Sequence, residues 1–426
     1  MGVNCEEQPI LARGLAMAEG QKTRPLPLEG ICVVEIGHSL AAPNAGIIFA
    51  HLGARVVKIE NAASGDYARG WGPPFIDGAS ALFHAMNHGK ESISADFSDP
   101  TCTTLIREFI VANADVVIQN LKPGNLDRYG LGAKELTELC PSLIYCNLGA
   151  FGATGPLRNK PGYDPLVQAY SGMMSIVGHE DDAPSRVPVS INDMGTGMWA
   201  VIGVLAALRG KDRGDPERGQ VIDVSLYETA LAWMTVPLSD CLAGGPEPTR
   251  IGSGSPNIVP YQVFDCADGA ILVAAGNDTL YRRLCNVMDL PSLANDSRFA
   301  SNGDRVLNRK ALIAILEARF KHKTASDWLD CLETESIPCG PLQTVGSVVG
   351  DEQTVSLDIL RETPDGRTTT VALPVSFDRE RPPLPGNTPR LGEHNHLLAK
   401  PDGFSSETNQ QTRGERSVDL LRQKRD

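Results

Sequence analysis

Short apolar runs alternate with helical stretches over the first third of the chain, and this alternation restricts the fold more than any other feature. The run 31–37 ends in glycine, a helical pattern follows over 43–52, and a second apolar run covers 55–60. Runs of this length predict strands, and the longer stretches between them predict helices. The pattern continues with predicted strands over 92–97, 115–120 and 143–148 and predicted helices over 99–112 and 133–140. Such an alternation predicts an α/β fold with a doubly wound parallel sheet.

The pattern changes after a helix predicted over 194–208 and an apolar run over 220–231. The stretch 236–257 is rich in glycine and proline and predicts a connecting segment. Beyond it the sequence predicts a smaller α+β unit, because two strand-like runs flank a turn and helical stretches follow. The strands are predicted over 261–266 and 270–275, and the helices over 278–288, 309–320 and 325–335.

Charge and targeting patterns argue against some partners. The 39 Lys and Arg against 52 Asp and Glu give a net charge of -13, the wrong sign for binding nucleic acid or anionic lipid. The longest nearly unbroken apolar run, 198–208, is shorter than the roughly 18 residues that span a bilayer, so we predict no membrane helix. Residues 1–25 show no signal peptide, and the ten cysteines include no CxxC pair. We therefore expect a reducing compartment, the cytoplasm or the mitochondrial matrix.

The sequence contains no GxGxxG, GxxxxGK[ST], HExxH or GxSxG motif, so the common nucleotide, zinc-protease and hydrolase signatures are missing. His394 and His396 are the one close histidine pair, and we expect no metal site. In a parallel sheet, ligands bind where strands end and helices begin. The loops after Gly37, Glu60, Asn120 and Leu148 are therefore the predicted ligand edge.

One carboxylate, Asp193, stands at the start of a helix that is apolar on nearly every face. An aspartate there can cap the helix by accepting backbone N–H bonds. Gly195 and Gly197 support a second interpretation, because they would leave the backbone open to a ligand. A carboxylate at a ligand edge can act as a nucleophile without a general base, since aspartate is ionised at neutral pH. The residues alone leave both interpretations open.

The chain resembles the class III CoA-transferases, which include formyl-CoA transferase and carnitine CoA-transferase and share their fold with α-methylacyl-CoA racemase. The resemblance runs from about residue 28 to residue 395. Its motifs are LEGICVVEIG (28–37), Ala42-Pro43, LGARVVKIE (52–60), Gly65-Asp66, NHGK (87–90), NLKPG (120–124), GYD (162–164), Asp193 with its glycines, RGQ (218–220) and LGEHN (391–395). It implies that Asp193 is the nucleophile of a covalent mechanism that passes through an aspartyl-CoA thioester.

The resemblance also implies a binding site for CoA. Its implied contacts are Ser39, Leu40, Ala41, Ala95, Asp96, Asn120, Leu121, Lys122, Arg128, Tyr163 and Asp164. Lys122 and Arg128 are expected to contact phosphates, although a solvated surface role is open for each. Some members carry arginine where this chain has Asn61, which leaves Arg69 and Lys90 as weaker substitutes.

The family architecture implies a Rossmann-like large domain, a ring-shaped protomer and two interlocked rings in a homodimer. We place the large domain in 1–225, completed by 345–400, and the small domain in 251–340. A linker is predicted over 226–250 and a polar tail over 401–426. The glycine-rich loop with Gly252 and Gly254 resembles the loop that closes over the aspartyl intermediate, and a plain flexible linker is the alternative.

Three functions compete for this fold: a CoA-transferase, an α-methylacyl-CoA racemase and a silent CoA-binding protein. The racemases place histidine in a GHD motif, whereas this chain has Tyr163, whose side chain is poorly matched to proton transfer at neutral pH. The chain looks most like enzymes that move CoA from succinyl-CoA to a dicarboxylic acid such as glutarate or itaconate. In this interpretation Arg186 binds the second carboxylate, although an ordinary exposed arginine is the alternative. The expected partners are an acyl-CoA, a small carboxylic acid and a second copy of the chain, with no permanently bound cofactor.

Overall fold

The structure, a computed structural model, describes residues 25–214 and 219–398. The polar tail predicted over 401–426, the N-terminal segment 1–24 and the motif residue Arg218 lie outside the described residues. The strands, in chain order, are β1 (Cys32–Ile36), β2 (Arg55–Asn61), β3 (Phe75–Ile76), β4 (Ala79–Ser80), β5 (Glu91–Ala95), β6 (Val116–Gln119), β7 (Ile144–Gly149), β8 (Gln220–Ser225), β9 (Tyr261–Asp265), β10 (Ala270–Ala274), β11 (Cys339–Pro341), β12 (Leu360–Glu362) and β13 (Thr369–Val371).

The helices alternate with the strands over the first half of the chain and dominate the second. In chain order they are α1 (Ala41–His51), α2 (Ala81–Asn87), α3 (Pro100–Asn113), α4 (Ala133–Leu139), α5 (Asp164–Tyr170), α6 (Met173–Ile176), α7 (Ile191–Arg213), α8 (Leu226–Trp233), α9 (Thr235–Leu242), α10 (Asp278–Val287), α11 (Pro291–Ala294), α12 (Asn302–Leu307), α13 (Arg309–Phe320), α14 (Ala325–Thr334), α15 (Val345–Val349) and α16 (Glu352–Ser356).

Six strands form one parallel sheet in the order β5-β2-β1-β6-β7-β8. Alternate strand residues point to opposite faces, and both faces are covered by helices. Val33 and Val56 enter a core with α1, α7 and α8, whereas Val34 and Val57 enter a second core with α3 and α4. The large parallel sheet predicted from the apolar runs is therefore confirmed.

The predicted connecting segment 226–250 is helical over much of its length. The apolar run 220–231 divides into strand β8 and helix α8, and α9 follows directly. Ser225 marks the division, because its hydroxyl accepts the backbone N–H of Glu228 and caps α8. Leu226 and Ala230, four residues apart on one face of α8, are buried in the core of the large sheet. The domain boundaries themselves stay a prediction.

A second, antiparallel sheet has the order β11-β10-β9 and packs against α10, α13 and α14. The predicted strand pair over 261–275 is present as β9 and β10. Strand β11 was not predicted, because Gly340 and Pro341 disfavour a strand and its three residues are held by pairing with β10.

The chain returns to the edge of the large sheet at 385–395. The backbone N–H of Ser92 on β5 donates to His394 Nδ1 at 3.1 Å, and the N–H of Ser94 donates to Asn395 Oδ1 at 2.8 Å. The N–H of His394 in turn donates to the Ser92 carbonyl at 2.8 Å. The LGEHN motif thus covers an edge strand whose backbone groups would otherwise be open.

Helix α7 is long and apolar enough to cross a membrane by length and composition, although the sequence analysis, which weighed only the run 198–208, predicted no such helix. Within its most apolar 18-residue window, 44% of the residues are buried, and the helix packs against α1, α8, β7 and β8. Core helices of soluble proteins pass the same test, so this is weak evidence for a membrane span. The absence of a membrane partner stays a prediction.

Candidate active site

The loop that follows β1 forms a wall of the candidate site and is held on both sides. Asn120 clamps His38, since its Oδ1 accepts the His38 N–H at 3.0 Å and its Nδ2 donates to the His38 carbonyl at 2.9 Å. Ser39 has a φ of 69°, in the left-handed region that residues other than glycine rarely adopt. Its N–H donates to Asp66 Oδ1 at 2.9 Å. At Gly37 a Cβ would lie 2.8 Å from Asn120 Oδ1, so this tight crossing requires glycine.

The large cavity, of about 810 Å³, lies beyond this loop at the carboxyl ends of β1, β2 and β5. Lys122 and Arg128 on its wall are exposed cations, and Asp96 lies opposite. Among the predicted CoA contacts, the large cavity is lined by Asp96, Leu121, Lys122 and Arg128. Glu60 and Asp66 also line this cavity, but each is paired with a cation, Arg69 and Lys58 respectively. The size of the cavity and its two exposed cations therefore suit a phosphorylated ligand.

The proposed substitutes for the missing arginine are not free to contact phosphate. Arg69 forms two 2.8 Å bonds with the carboxylate of Glu60. Lys90 is completely buried and donates to Glu35 Oε2 at 2.7 Å. Asn61 itself accepts the N–H groups of the turn that follows it. Lys122 and Arg128 are therefore the better candidates.

A second cavity of about 430 Å³, here called the Asp193 cavity, adjoins the large one. The two cavities share the wall residues His38, Tyr67, Leu121, Lys122 and Pro123. The predicted site residues that line the Asp193 cavity are Ser39, Ala41, Asn120, Leu121, Lys122, Tyr163 and Asp193. The structure thus brings the predicted nucleophile and most of the predicted CoA contacts to one edge of the sheet.

Asp193 lies in the first turn of α7 and does not cap it. The N-cap position is Ser190, without a side-chain cap bond, and the free N–H groups of Asn192 and Asp193 donate to Asp164 Oδ2 at 2.7 and 3.3 Å. Burial, followed by the negative charge of Asp164, raises the pKa of the Asp193 carboxyl to about 7. The pKa of Asp193 thus lies close to neutral, well above the ordinary aspartate value on which the expectation of a fully ionised carboxylate was based.

Asp164 binds the first turn of α7 and does not line either cavity. Its side chain is buried, and its Oδ1 accepts from Gln168 Nε2 at 2.5 Å while its Oδ2 accepts the N–H groups of α7. Gln168 in turn holds the segment before α7, through both the carbonyl and the N–H of Val187. A direct contact between Asp164 and CoA is not supported by this geometry.

Gly195 and Gly197 allow close helix packing and do not leave backbone open to a ligand. A Cβ on Gly197 would lie 2.6 Å from Asn44 Nδ2 on α1, and one on Gly195 would lie 2.6 Å from the indole of Trp233 on α8. Asn44 also donates to the Met194 carbonyl at 2.9 Å. These contacts fix the first turn of α7, and with it Asp193, on rigid structure.

Several predicted residues lie outside both cavities. Arg186 is exposed, and the loop with Gly252 and Gly254 is tied to other parts of the chain, since the Gly252 N–H donates to the Gly178 carbonyl at 2.9 Å. Arg309 also holds this loop through two backbone carbonyls. The residues not brought to the cavities are Leu40, Ala95, Asp164, Arg186, Gly252 and Gly254, and roles for them in substrate binding stay predictions.

Sequence reasoning missed His38 and Tyr67, which line both cavities. Their rings meet edge to face at 4.9 Å, and His38 Nδ1 lies 2.9 Å from Ser39 Oγ. Burial lowers the pKa of His38, so the imidazole is neutral at neutral pH. His38 follows the strand-end Gly37, so the position of the predicted ligand loop was the signal that could have found it.

The parallel sheet carries two adjoining cavities at its carboxyl edge, and the partly buried Asp193 lines one of them. This is the edge at which parallel α/β sheets bind their ligands. Comparison with known proteins identifies the family. Residues 28–395 match the family described as CoA-transferase family III. The chain belongs to this family, and it is a CoA-transferase that uses CoA thioesters as substrates.

Known relatives agree with this assignment. The chain is 38% identical to the succinate–glutarate CoA-transferase of Agrobacterium fabrum, over 87% of this chain and 94% of the relative. It is 34% identical to the succinyl-CoA:glutarate CoA-transferase of Homo sapiens, over 87% of this chain and 85% of the relative. The crystal structure of a CAIB/BAIF family protein from Brucella suis is similar, with a TM-score of 0.78 and 38% identity over 88% of this chain and 99% of that one.

Proposed function

We propose that this protein moves CoA from succinyl-CoA to a dicarboxylic acid such as glutarate, with Asp193 as the covalent carrier. The observation that carries the proposal is the position of Asp193, a fixed carboxylate on the wall of a cavity that adjoins the large anion-binding cavity. No second carboxylate among the described residues lines the Asp193 cavity. The names of the relatives support the choice of donor and acceptor.

The proposed reaction needs four bond exchanges and no net proton transfer. The Asp193 carboxylate attacks the donor thioester carbonyl, the C–S bond breaks, and CoA leaves as a thiolate from a mixed anhydride. The thiolate then attacks the aspartyl carbonyl and releases the donor acid, which leaves an aspartyl-CoA thioester. The acceptor carboxylate attacks this thioester, the C–S bond breaks, and CoA leaves as a thiolate from a second anhydride. The thiolate then attacks the acceptor carbonyl of that anhydride to give the acceptor's CoA thioester. Asp193 is regenerated as a carboxylate.

The raised pKa of Asp193 and the burial that causes it have three consequences for this chemistry. Only the ionised carboxylate can attack, so activity requires a pH near or above 7. The same burial that raises the pKa limits access of water, which would hydrolyse an anhydride. A more basic carboxylate is also a better nucleophile toward a thioester carbonyl.

The donor is proposed to lie across both cavities. The nucleotide end fits the large cavity, where Lys122 and Arg128 can bind phosphate oxygens, and the thioester end reaches Asp193 past His38 and Ser39. Lys122 borders both cavities, so it can contact the ligand near their junction. This arrangement follows the rule that ligands of parallel sheets bind at the carboxyl ends of the strands.

The acceptor needs a cation for its second carboxylate. Arg186 is the candidate from the sequence, yet it is exposed and lies outside the Asp193 cavity within the protomer. Lys160 lines that cavity and lies 5.7 Å from the centre of the Phe151 ring, which makes it the competing candidate. Arg186→Ala and Lys160→Ala, tested side by side with glutarate and itaconate, will separate the two, since the true partner is needed by dicarboxylates and not by monocarboxylates.

A homodimer is proposed from the surface of the protomer as well as from the family resemblance. Large apolar side chains on α7 to α9 are exposed, namely Met198, Trp199, Ile202, Trp233 and Val236. Exposed apolar surface of this kind commonly marks a protein interface. A monomeric mass in light scattering at micromolar concentration would contradict the dimer. The same result would contradict the interlocked arrangement of two ring-shaped protomers, because that arrangement requires a dimer.

Trapping of the intermediate tests the proposed function. The protein is incubated with succinyl-CoA and hydroxylamine, which converts an acyl-activated carboxylate into a hydroxamate, and the modified residue is found by mass spectrometry. We expect modification at Asp193, and Asp193→Asn should show neither modification nor transfer. Full turnover by Asp193→Asn would refute the covalent route. Exchange of the α-proton of a branched acyl-CoA without any acceptor acid would instead favour a racemase.

A further inference from the structure

We infer that Asp66 is a positioning residue for the acyl-CoA site, because it holds the loop Gly37–Ser39 in the shape that forms the wall between the two cavities. The inference rests on the proposed placement of the donor across these cavities. Asp66 is buried and lines the large cavity but not the Asp193 cavity. Its carboxylate contacts the N–H groups of Ser39 and Ala68 and the ammonium of Lys58, so it would act on the ligand through the loop. Three sets of contacts support this role: those of the loop backbone, those between Asp66 and Lys58, and the donors around the Asp66 carboxylate.

The loop is held by contacts to its backbone. The N–H of Ser39 donates to Asp66 Oδ1 at 2.9 Å, and the carbonyl of Gly37 accepts from Lys58 Nζ at 2.9 Å. Asn120 binds both polar backbone groups of the residue between them. Since Ser39 has a φ of 69°, which costs a residue other than glycine a factor of about 5 to 30 in its conformational equilibrium, the loop needs such anchors.

Asp66 is in turn held by an ion pair with a fully buried lysine, Lys58. Lys58 Nζ lies 2.9 Å from Asp66 Oδ2 and 2.6 Å from Glu35 Oε1, and all three side chains are closed to solvent or nearly so. The second oxygen of Glu35 binds Lys90 at 2.7 Å. Burial raises the pKa of the Asp66 carboxyl, but the charge of Lys58 and the N–H bonds outweigh it and hold the pKa below its usual value. Asp66 is therefore charged at neutral pH.

Every polar neighbour of the Asp66 carboxylate is a donor. Oδ1 accepts the N–H groups of Ser39 and Ala68, both at 2.9 Å, and Oδ2 faces the Lys58 ammonium. An asparagine has one acceptor and one donor group, so it can satisfy the loop or the lysine but not both. Replacing a buried ion pair by apolar groups is often neutral for stability, so the role that we infer for this pair is to fix the geometry of the loop. Position 66 thus requires a carboxylate to hold the conformation of the loop Gly37–Ser39.

The test compares two Asp→Asn changes beside buried cations. Asp66→Asn should raise the KM for succinyl-CoA by about tenfold, within the range set by the left-handed conformation, and leave the KM of the acid within about twofold. The control is Asp278→Asn, whose carboxylate lies 2.8 Å from the fully buried Arg305 at the start of α10, the helix that packs against the antiparallel sheet. We expect the control to lose stability without a change in either KM. Equal KM values for succinyl-CoA in the two variants would overturn the inference.

A rescue experiment separates positioning from a general structural role. Glycine adopts a positive φ readily, so Ser39→Gly added to Asp66→Asn should recover most of the lost affinity for the donor. No recovery in a folded double variant would overturn the inference. If Asp66→Asn does not fold, Ser39→Pro keeps the buried charges and removes the N–H, the left-handed φ and the hydroxyl beside His38, whereas Ser39→Ala removes the hydroxyl alone. An equal donor KM in these two variants overturns the inference as well.

CoA itself serves as the probe that is independent of turnover. Calorimetric titration of CoA into Asp193→Asn, with and without Asp66→Asn, reports the affinity of the site even where transfer is lost. We expect weaker CoA binding only when Asp66 is changed. A failure of the covalent mechanism would appear as turnover by Asp193→Asn, whereas a failure of positioning would appear as equal CoA affinities.

Discussion

Replacement of Asp193 by asparagine should remove activity and at the same time stabilise the folded protein above neutral pH. The two effects have one cause, because burial and the charge of Asp164 raise the pKa of the Asp193 carboxyl to about 7. In the proposed mechanism, a nucleophile that must be ionised is therefore held where ionisation is unfavourable. Asparagine occupies almost the same volume and carries no charge, so it relieves this cost.

The magnitude follows from the pKa. A rise from 3.8 to about 7 means that the folded protein binds this proton more tightly than the unfolded chain by about three pH units. At about 1.36 kcal/mol per unit, the wild type is less stable by up to about 4 kcal/mol above pH 7 than below pH 4 on this account. The sign is that of a raised pKa: stability is complete below the unfolded pKa and is lost as the pH rises through 7.

Urea unfolding of wild type and Asp193→Asn at pH 5, 6, 7 and 8 measures this difference. We expect the gain of the variant to rise from about 1.6 kcal/mol at pH 5 and to level off above pH 7, with about 4 kcal/mol as the upper limit. Asp330→Asn is the control, because Asp330 is an exposed carboxylate outside the site. A difference that does not depend on pH, or a variant that is less stable than wild type at pH 8, would refute the reasoning.

Four further predictions concern the site and its support. In wild type, kcat/KM should rise about tenfold per pH unit below 7 and level off above it, as a pH–rate profile will show. Asp164→Asn should move the midpoint of that profile to lower pH by about one unit, because a neighbouring negative charge is lost; an unmoved midpoint would assign the raised pKa to burial alone. Lys122→Ala and Arg128→Ala should each raise the KM for the acyl-CoA about tenfold, and more at low salt, in steady-state assays. Gly197→Ala should lower the free energy of unfolding by about 1 to 3 kcal/mol in urea, because its Cβ would collide with α1; an unchanged value would contradict the packing.

The strands of the large sheet were predictable because the signal is local. Valine and isoleucine runs in 31–37 and 55–60 favour extended backbone, and the intervening helical pattern leaves few ways to connect them. The ligand edge was predictable from the same strand pattern. Asp193 was predictable as a candidate because it is a carboxylate at the start of an apolar helix. The extent of α7 was underestimated, since its first turn is polar and its last is charged.

The pairing of distant side chains was not predictable. Asp164 caps a helix that begins 27 residues later, and Asp66 contacts a loop 27 residues earlier. No periodicity in the sequence marks such partners, because they meet only when the sheet and its helices have packed. The same holds for Lys90. The sequence allows it as a phosphate ligand, but in the structure it forms a buried ion pair with Glu35.

The sequence by itself determined the α/β alternation, the family and the position of the candidate nucleophile, because each depends on residues close together in the chain. Tertiary structure alone decided the chemistry of that nucleophile. Its pKa depends on burial and on the charge of Asp164, and both arise from contacts between α5 and α7. A carboxylate's charge state is set by its solvent and its neighbours, and folding supplies both.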